Sequence, residues 1–256
     1  MQESTDVKLT KETTKKASAC KKPDSSTESA ESKRRRAQIK PPSMPKWGME
    51  TVRFVGLSLS RLLFRIKYLN KENIPQKRPG GLLICANHQS YFDPFWIGFP
   101  IKRPMRYMAW DAATRWFLVG SFIRALGAYP VNIERASKES LIVSVGWLKS
   151  GGTLMLFPEG SRSLSNGKML DFKNGAVRIA LQAGVPILPV TVRGGNRVWA
   201  QNMHAPRLSK VKIIYHPLME VPPVPENCSL RAHVDDLTAR LAVIIGSALP
   251  EENAQN

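Results

Sequence analysis

A chain of 256 residues and 28.6 kDa has room for one sizeable domain, and 43% hydrophobic with 23% charged residues is ordinary globular composition. Those values exclude wholesale disorder and a polytopic membrane protein. Lys and Arg number 38 against 20 Asp and Glu, a formal net charge of +18, which points to polyanionic partners: nucleic acid, an anionic membrane surface or phosphorylated ligands. The three cysteines, Cys20, Cys85 and Cys228, show no C-x-x-C spacing; they suggest neither a disulfide framework nor a zinc site and fit a reducing compartment.

Residues 1–45 read as a disordered basic tail, rich in Lys, Ser, Thr and Glu, with eleven basic against six acidic residues and a cluster at Lys33, Arg34, Arg35 and Arg36. Too few large apolar side chains are present to offset the entropy of ordering, and no apolar run there could act as the core of a signal peptide. Nowhere does the chain hold about 18 uninterrupted apolar residues, the length a simple transmembrane helix needs.

Residues 46–72 are expected to form an amphipathic membrane-interface helix. At 100° per residue Val52, Val55, Leu59, Leu62, Leu63, Ile66 and Leu69 fall on one face. The opposite arc mixes Arg53, Arg61, Arg65 and Lys67 with Phe54, Leu57, Phe64 and Tyr68, a blend suited to a helix lying in a bilayer interface with its cations at the headgroups. A helix packed on the domain with a few exposed apolar residues is the plainer reading of the same pattern.

Residues 73–249 alternate short apolar runs with helical stretches. Strands are expected at 82–86, 105–109, 128–133, 153–157, 187–192 and 210–216, and helices at 112–126, 137–149, 174–183 and 230–249, with Asp93-Pro94 opening another. Residues 250–256 read as a flexible C-terminus. This alternation predicts an α/β fold with a mixed, mostly parallel central sheet flanked by helices.

In open α/β sheets ligands collect at the carboxyl ends of strands. The loop after strand 82–86 reads Asn87-His88-Gln89-Ser90-Tyr91-Phe92-Asp93. A carboxylate five residues from an imidazole can fix its tautomer through one ring nitrogen and leave the other to take a proton from a hydroxyl. Asp93 before Pro94 is also a plain helix cap. As rival nucleophiles, Ser90 lacks a G-x-S-x-G elbow and Cys85 lies inside an apolar strand. The loop after strand 153–157 reads Phe157-Pro158-Glu159-Gly160-Ser161-Arg162-Ser163. Gly160 permits a tight turn, while Ser161 and Arg162 offer a hydroxyl and a guanidinium fork suited to phosphate oxygens, with Lys168, Lys173 and Arg178 nearby in sequence. A solvated loop with a local Glu159–Arg162 ion pair is the alternative.

Together these loops resemble the glycerolipid acyltransferase family that includes the 1-acylglycerol-3-phosphate acyltransferases. The family block N-H-x-S-x-x-D stands at Asn87 to Asp93, F-P-E-G-[ST]-R-S at Phe157 to Ser163, and V-P-[IV]-x-P-V at Val185 to Val190; a block near G-x-[FI]-P-V-x-R is present in part at Gly127 to Val131. The resemblance covers about residues 50 to 215 and makes 73–249 an acyltransferase catalytic domain.

It implies His88 as general base and Asp93 as its orienting partner, with Asn87 and Ser90 supporting their loop. Glu159, Gly160, Ser161 and Arg162 would bind the glycerol and phosphate part of the acceptor, and Arg135 would add a phosphate contact. No metal or cofactor is implied. The partners are an acyl thioester donor, either acyl-CoA or acyl carrier protein, a lysophospholipid acceptor giving phosphatidic acid, and an anionic membrane surface. The expected location is peripheral or monotopic on the cytoplasmic face, with no nucleic acid bound.

Two positions depart from the family pattern. The arginine usually two residues after the P-V pair is Ile133, and Arg135 follows two later; where relatives carry an A-K-x-E-like segment this chain reads Ala109-Trp110-Asp111-Ala112. Another lysophospholipid, glycerol 3-phosphate or a lyso-aminolipid are therefore alternative acceptors. A basic nucleic-acid or membrane-adaptor module is the alternative without catalysis, although no helix-turn-helix, zinc-finger spacing or RNA-binding aromatic signature is present.

Overall fold

A computed structural model describes residues 45–110, 128–131 and 138–250. The tail up to residue 44, the helix expected at 112–126, Arg135 and residues 251–256 lie outside the described residues.

Seven described strands form one sheet in the order β1-β7-β6-β2-β5-β3-β4. They are β1 (Lys67–Leu69), β2 (Leu82–Ala86), β3 (Met105–Trp110), β4 (Ala128–Val131), β5 (Thr153–Leu156), β6 (Ile187–Arg193) and β7 (Lys212–Tyr215). The β6–β2–β5–β3–β4 block is parallel, β7 runs antiparallel to β6, and β1 follows β7 in parallel. The expected mixed, mostly parallel α/β sheet is thus the one found. All five residues of β2 and all four of β5 are buried, which is why neither sequence shows polar alternation, Thr153 being the one polar residue among them.

Two cores lie on opposite faces of the sheet. One holds α3 (Lys138–Lys149), α4 (Gly175–Ala183) and α6 (Leu230–Gly246) around Leu148, Leu154, Val177, Ala180, Leu237 and Leu241. The other holds α1 (Lys46–Phe64) and α2 (Asp93–Gly98) around Phe64, Trp96, Ile97, Leu188, Ile213 and Tyr215. Ser229 caps α6 by accepting from the Ala232 N–H at 3.1 Å. Gly184 closes α4 in the left-handed region at φ 65°, its N–H reaching the Ala180 and Leu181 carbonyls. The short α5 (Asn196–Trp199) after β6 has no counterpart among the expected elements. A buried Arg103 ties the loop before β2 down, donating to Thr153 Oγ1 and to the carbonyls of Pro75, Arg78 and Gly80.

The N-terminal helix corrects the sequence reading in two respects. It ends at Phe64, and residues 67–69 are a strand instead of the helix's last turn. Arg65 turns left-handed at φ 44°, and the Lys67 N–H then reaches the Val211 carbonyl while the Val211 N–H reaches that of Phe64. Pairing with β7 therefore outweighs helical periodicity. The second correction concerns the faces. Part of the mixed arc is docked, for Phe64 is buried, Arg53 donates to the Ile101 carbonyl at 2.5 Å, and Gly56 sits against the Phe99 ring, while Arg61 stays exposed. Most of the apolar face points outward, with Val55, Leu59 and Leu62 exposed, Leu62 to 76%, although Ile66 is buried; Phe54 of the mixed arc is exposed as well. Among the described residues no helix is long and apolar enough to cross a membrane.

Candidate active site

Strands β2, β5 and β6 run parallel and in register, so their carboxyl ends share one edge of the sheet. Asn87 and His88 leave β2 there, Phe157 to Ser163 leave β5, and Gly194 leaves β6. Asn87 splices the first of these to the third: its side-chain amide donates to the Val192 carbonyl at 2.9 Å and accepts from the Val192 N–H at 2.7 Å.

His88 Nδ1 lies 3.0 Å from Asp93 Oδ2. The Asp93 side chain is 0% exposed and that of His88 19%. The same carboxylate oxygen accepts the N–H groups of Gln89 at 2.6 Å and Ser90 at 2.7 Å, so three donors converge on one buried oxygen. As the first residue of α2, Asp93 turns its carboxylate back toward the preceding loop instead of capping the helix, which removes the plain-cap reading. A carboxylate holding Nδ1–H leaves Nε2 as the acceptor nitrogen. The imidazole is stacked on Phe157, centroids 3.9 Å apart and planes at 14°. Two elements thus fix the ring in position and tilt.

The loop after β5 is bound to the dyad loop by its backbone. The Ser163 N–H donates to the His88 carbonyl at 2.8 Å. Both Glu159 carboxylate oxygens accept main-chain N–H groups, from His88 at 2.7 Å and Leu170 at 2.8 Å. Burial pushes this carboxyl up to about 8; the Leu170 and His88 N–H groups hold it down against that, and the Asp93 charge adds to the rise. Glu159 forms no described ion pair with Arg162. Instead Arg162 lies over the Tyr91 ring, 3.4 Å from its centroid, and donates to the Ala200 carbonyl at 3.3 Å. Tyr91 in turn packs edge-on against Trp199 at 4.8 Å. A cation held over an aromatic ring keeps donors free for an anion. Gly160 has φ 75°, open to glycine at little cost, and a side chain there would strike Lys173 Nζ. Ser161 is exposed at the turn.

The structure thus gathers Asn87, His88, Ser90, Asp93, Glu159, Gly160, Ser161 and Arg162 at one edge, while Arg135 lies outside the described residues. Ser90 is buried and its Oγ accepts the Phe92 N–H at 3.3 Å, a turn-forming role. Burial pushes the Cys85 thiol far up, away from nucleophilic use. Among the described residues no three of His, Cys, Asp and Glu converge to hold a metal ion. The sequence reading passed over Gln89 and Tyr91. Gln89 accepts from the Gly195 N–H at 3.0 Å and donates to the Gly167 carbonyl at 3.4 Å, bracing both neighbouring loops. Both residues occupy unspecified positions of the N-H-x-S-x-x-D block, and the partners of Gln89 are remote in sequence, so only the fold reveals them.

A family model described as Acyltransferase matches residues 65–193, half of the chain. The chain is 28% identical over 169 residues to the 1-acyl-sn-glycerol-3-phosphate acyltransferase of Borreliella burgdorferi, covering 65% of this chain and 66% of that one. It is 35% identical over 129 residues to the enzyme of the same name from Streptococcus pneumoniae, covering 50% and 47%. The crystal structure of the 1-acyl-sn-glycerophosphate acyltransferase from Thermotoga maritima superposes with a TM-score of 0.62 at 26% identity, covering 81% of this chain and 80% of that one. The chain spans about half to two thirds of the length of the curated relatives it matches.

Proposed function

The chain belongs to the acyltransferase family, and from that premise we propose that it moves a fatty acyl group from acyl-CoA or acyl carrier protein to the free hydroxyl of 1-acylglycerol 3-phosphate, giving phosphatidic acid. The observation that carries this reading is the buried Asp93 carboxylate against His88 Nδ1 at 3.0 Å, at the strand edge where Arg162 also sits. The acceptor hydroxyl gives its proton to His88 Nε2 as its oxygen attacks the thioester carbonyl. A C–O bond forms and the C–S bond breaks, and the departing thiolate takes the proton from the imidazolium. Asp93 stabilises that imidazolium and fixes its orientation. The step balances without an acyl-enzyme. Arg162, with Gly160 and Ser161, binds the phosphate and glycerol portion, while Asn87, Ser90 and Glu159 hold the loops in register. The outward apolar side of α1 rests in the bilayer that supplies the lysolipid, the membrane contact expected of the 46–72 segment on a shorter helix.

Substituting His88→Ala is expected to lower thioester-dependent acylation about 10³-fold, read as free thiol released alongside lipid product, with the circular dichroism spectrum unchanged. Unchanged turnover would sink the assignment. Running lysophosphatidate, another lysophospholipid, glycerol 3-phosphate and a lyso-aminolipid side by side identifies the acceptor; a preference for any but the first overturns the substrate part of the reading.

A further inference from the structure

Three cations stand in one row across the edge of the sheet. Lys67 of β1 pairs with Lys212 of β7, and Lys212 pairs with Arg193 of β6. Registered residues point to the same face, and all three side chains are exposed. Like charges directly opposite one another across strands are destabilising, and among the described residues no carboxylate pairs with any of them. Two more exposed cations flank the row. Arg65 precedes β1, and Lys210 precedes β7 with its carbonyl against Gly194, where a side chain could not fit.

Strand direction sets where the row lies. Arg193 ends β6, while Lys212 and Lys67 begin β7 and β1, which run the opposite way, so all three fall at the carboxyl edge of the parallel block, the edge that carries His88 and Arg162. The chain reaches the row three residues after α1 ends, and the row lies on the sheet face opposite α1: Val192, Ile213 and Tyr68 at the alternate positions pack in the α1 core, whereas Thr191, on the row's own face, donates to the Ile245 carbonyl of α6. A repulsive row that no described carboxylate neutralises matches a negatively charged surface.

We infer that Arg193, Lys212 and Lys67, with Arg65 and Lys210 at the flanks, form a headgroup-reading strip that docks the catalytic edge onto an anionic bilayer. This rests on the lipid-acylation reading only for its rationale, because vesicle binding is measured without turnover. The α1 stripe supplies apolar contact whatever the lipid charge. The strip supplies preference for anionic lipid and sets which edge of the sheet faces it.

The test is flotation of the full chain with vesicles of phosphatidylcholine alone or with one third phosphatidylglycerol, at two salt concentrations. The triple variant Lys67→Gln, Lys212→Gln, Arg193→Gln is expected to lose on the order of 100-fold in partitioning to anionic vesicles, from about fivefold per cation near a charged surface. Partitioning to neutral vesicles should stay within about twofold, and the loss should shrink at high salt. Because repulsion is removed, the variant should melt no lower than the parent, and Lys67→Arg with Lys212→Arg should bind like the parent. Equal loss on both vesicles, or none on either, overturns the inference. So does parent binding to duplex DNA tighter than to anionic vesicles, or protection of the parent by inorganic phosphate alone. A rise in KM for a dispersed short-chain lysophosphatidate in the variant would make the strip a substrate site and overturn it also. Absence of any acyl transfer by the parent would end the proposed function while leaving this measurement intact.

Discussion

The dyad loop and the N-terminal helix stand in opposite relation to their surroundings. At Asn87 to Asp93 nearly every polar group is answered within the protein: Asn87 by Val192, Gln89 by Gly195 and Gly167, and Asp93 Oδ2 by three donors. On α1 the described residues leave several apolar side chains largely uncovered, although burying each would stabilise by about 2 kcal/mol. The first region is satisfied apart from Asp93 Oδ1, which is buried without a described hydrogen-bond partner, and needs rigidity to orient a proton acceptor. The second leaves apolar surface uncovered, which is what the proposed lipid contact requires.

Breaking the first region should cost most. Asn87→Ala removes the donor and acceptor that extend β6 and leaves the Val192 N–H and C=O buried without partners. The expected loss is about 2–4 kcal/mol in urea unfolding, with acylation falling alongside it. A loss under about 0.5 kcal/mol would mean that the two loops are not held by this splice.

A smaller effect comes from Glu159. Its carboxyl titrates near 8 in the folded chain, raised mainly by burial, against an unfolded value near the ordinary carboxylate range. The folded state therefore holds a proton that the unfolded state releases earlier. Stability from this group is fully present below about pH 4.5 and lost as pH rises toward 8. Thermal melting from pH 5 to 9 should show the parent falling more steeply than Glu159→Gln, and parallel slopes would break the prediction. The smallest effect is expected on α1. Leu59→Ser with Leu62→Ser should change unfolding stability by no more than about 0.5 kcal/mol per site, yet weaken binding to neutral vesicles by tenfold or more. A loss above about 2 kcal/mol per site would show that this face is core.

The strands of the central block were legible because each is a short apolar run between turn residues, as with Leu82 to Ala86 between Gly81 and Asn87. The His88 and Asp93 pairing was legible because both sit in one loop, where spacing and chemistry suffice. What escaped depends on residues distant in the chain. The register of β1 requires β7, so periodicity alone carried the helix past Phe64 to Leu69. Periodicity also reports that a helix has two faces without saying which one docks, and Gly56, by admitting the Phe99 ring, decides that here. The two oxygens of Glu159 are claimed by N–H groups of His88 and Leu170, which no local string announces.

Only Arg65 and Ile66 separate α1 from β1, and main-chain bonds to Val211 clamp the chain on both sides of that link. Two residues are fewer than one helical turn, too few to act as a swivel. The helix and this sheet edge are consequently coupled, and in the proposed bilayer contact any tilt of the helix would pass to β1 and β7. Lengthening the link by a few flexible residues would uncouple attachment from aim: the protein would still adhere, but its reactive edge would no longer hold a fixed angle to the surface.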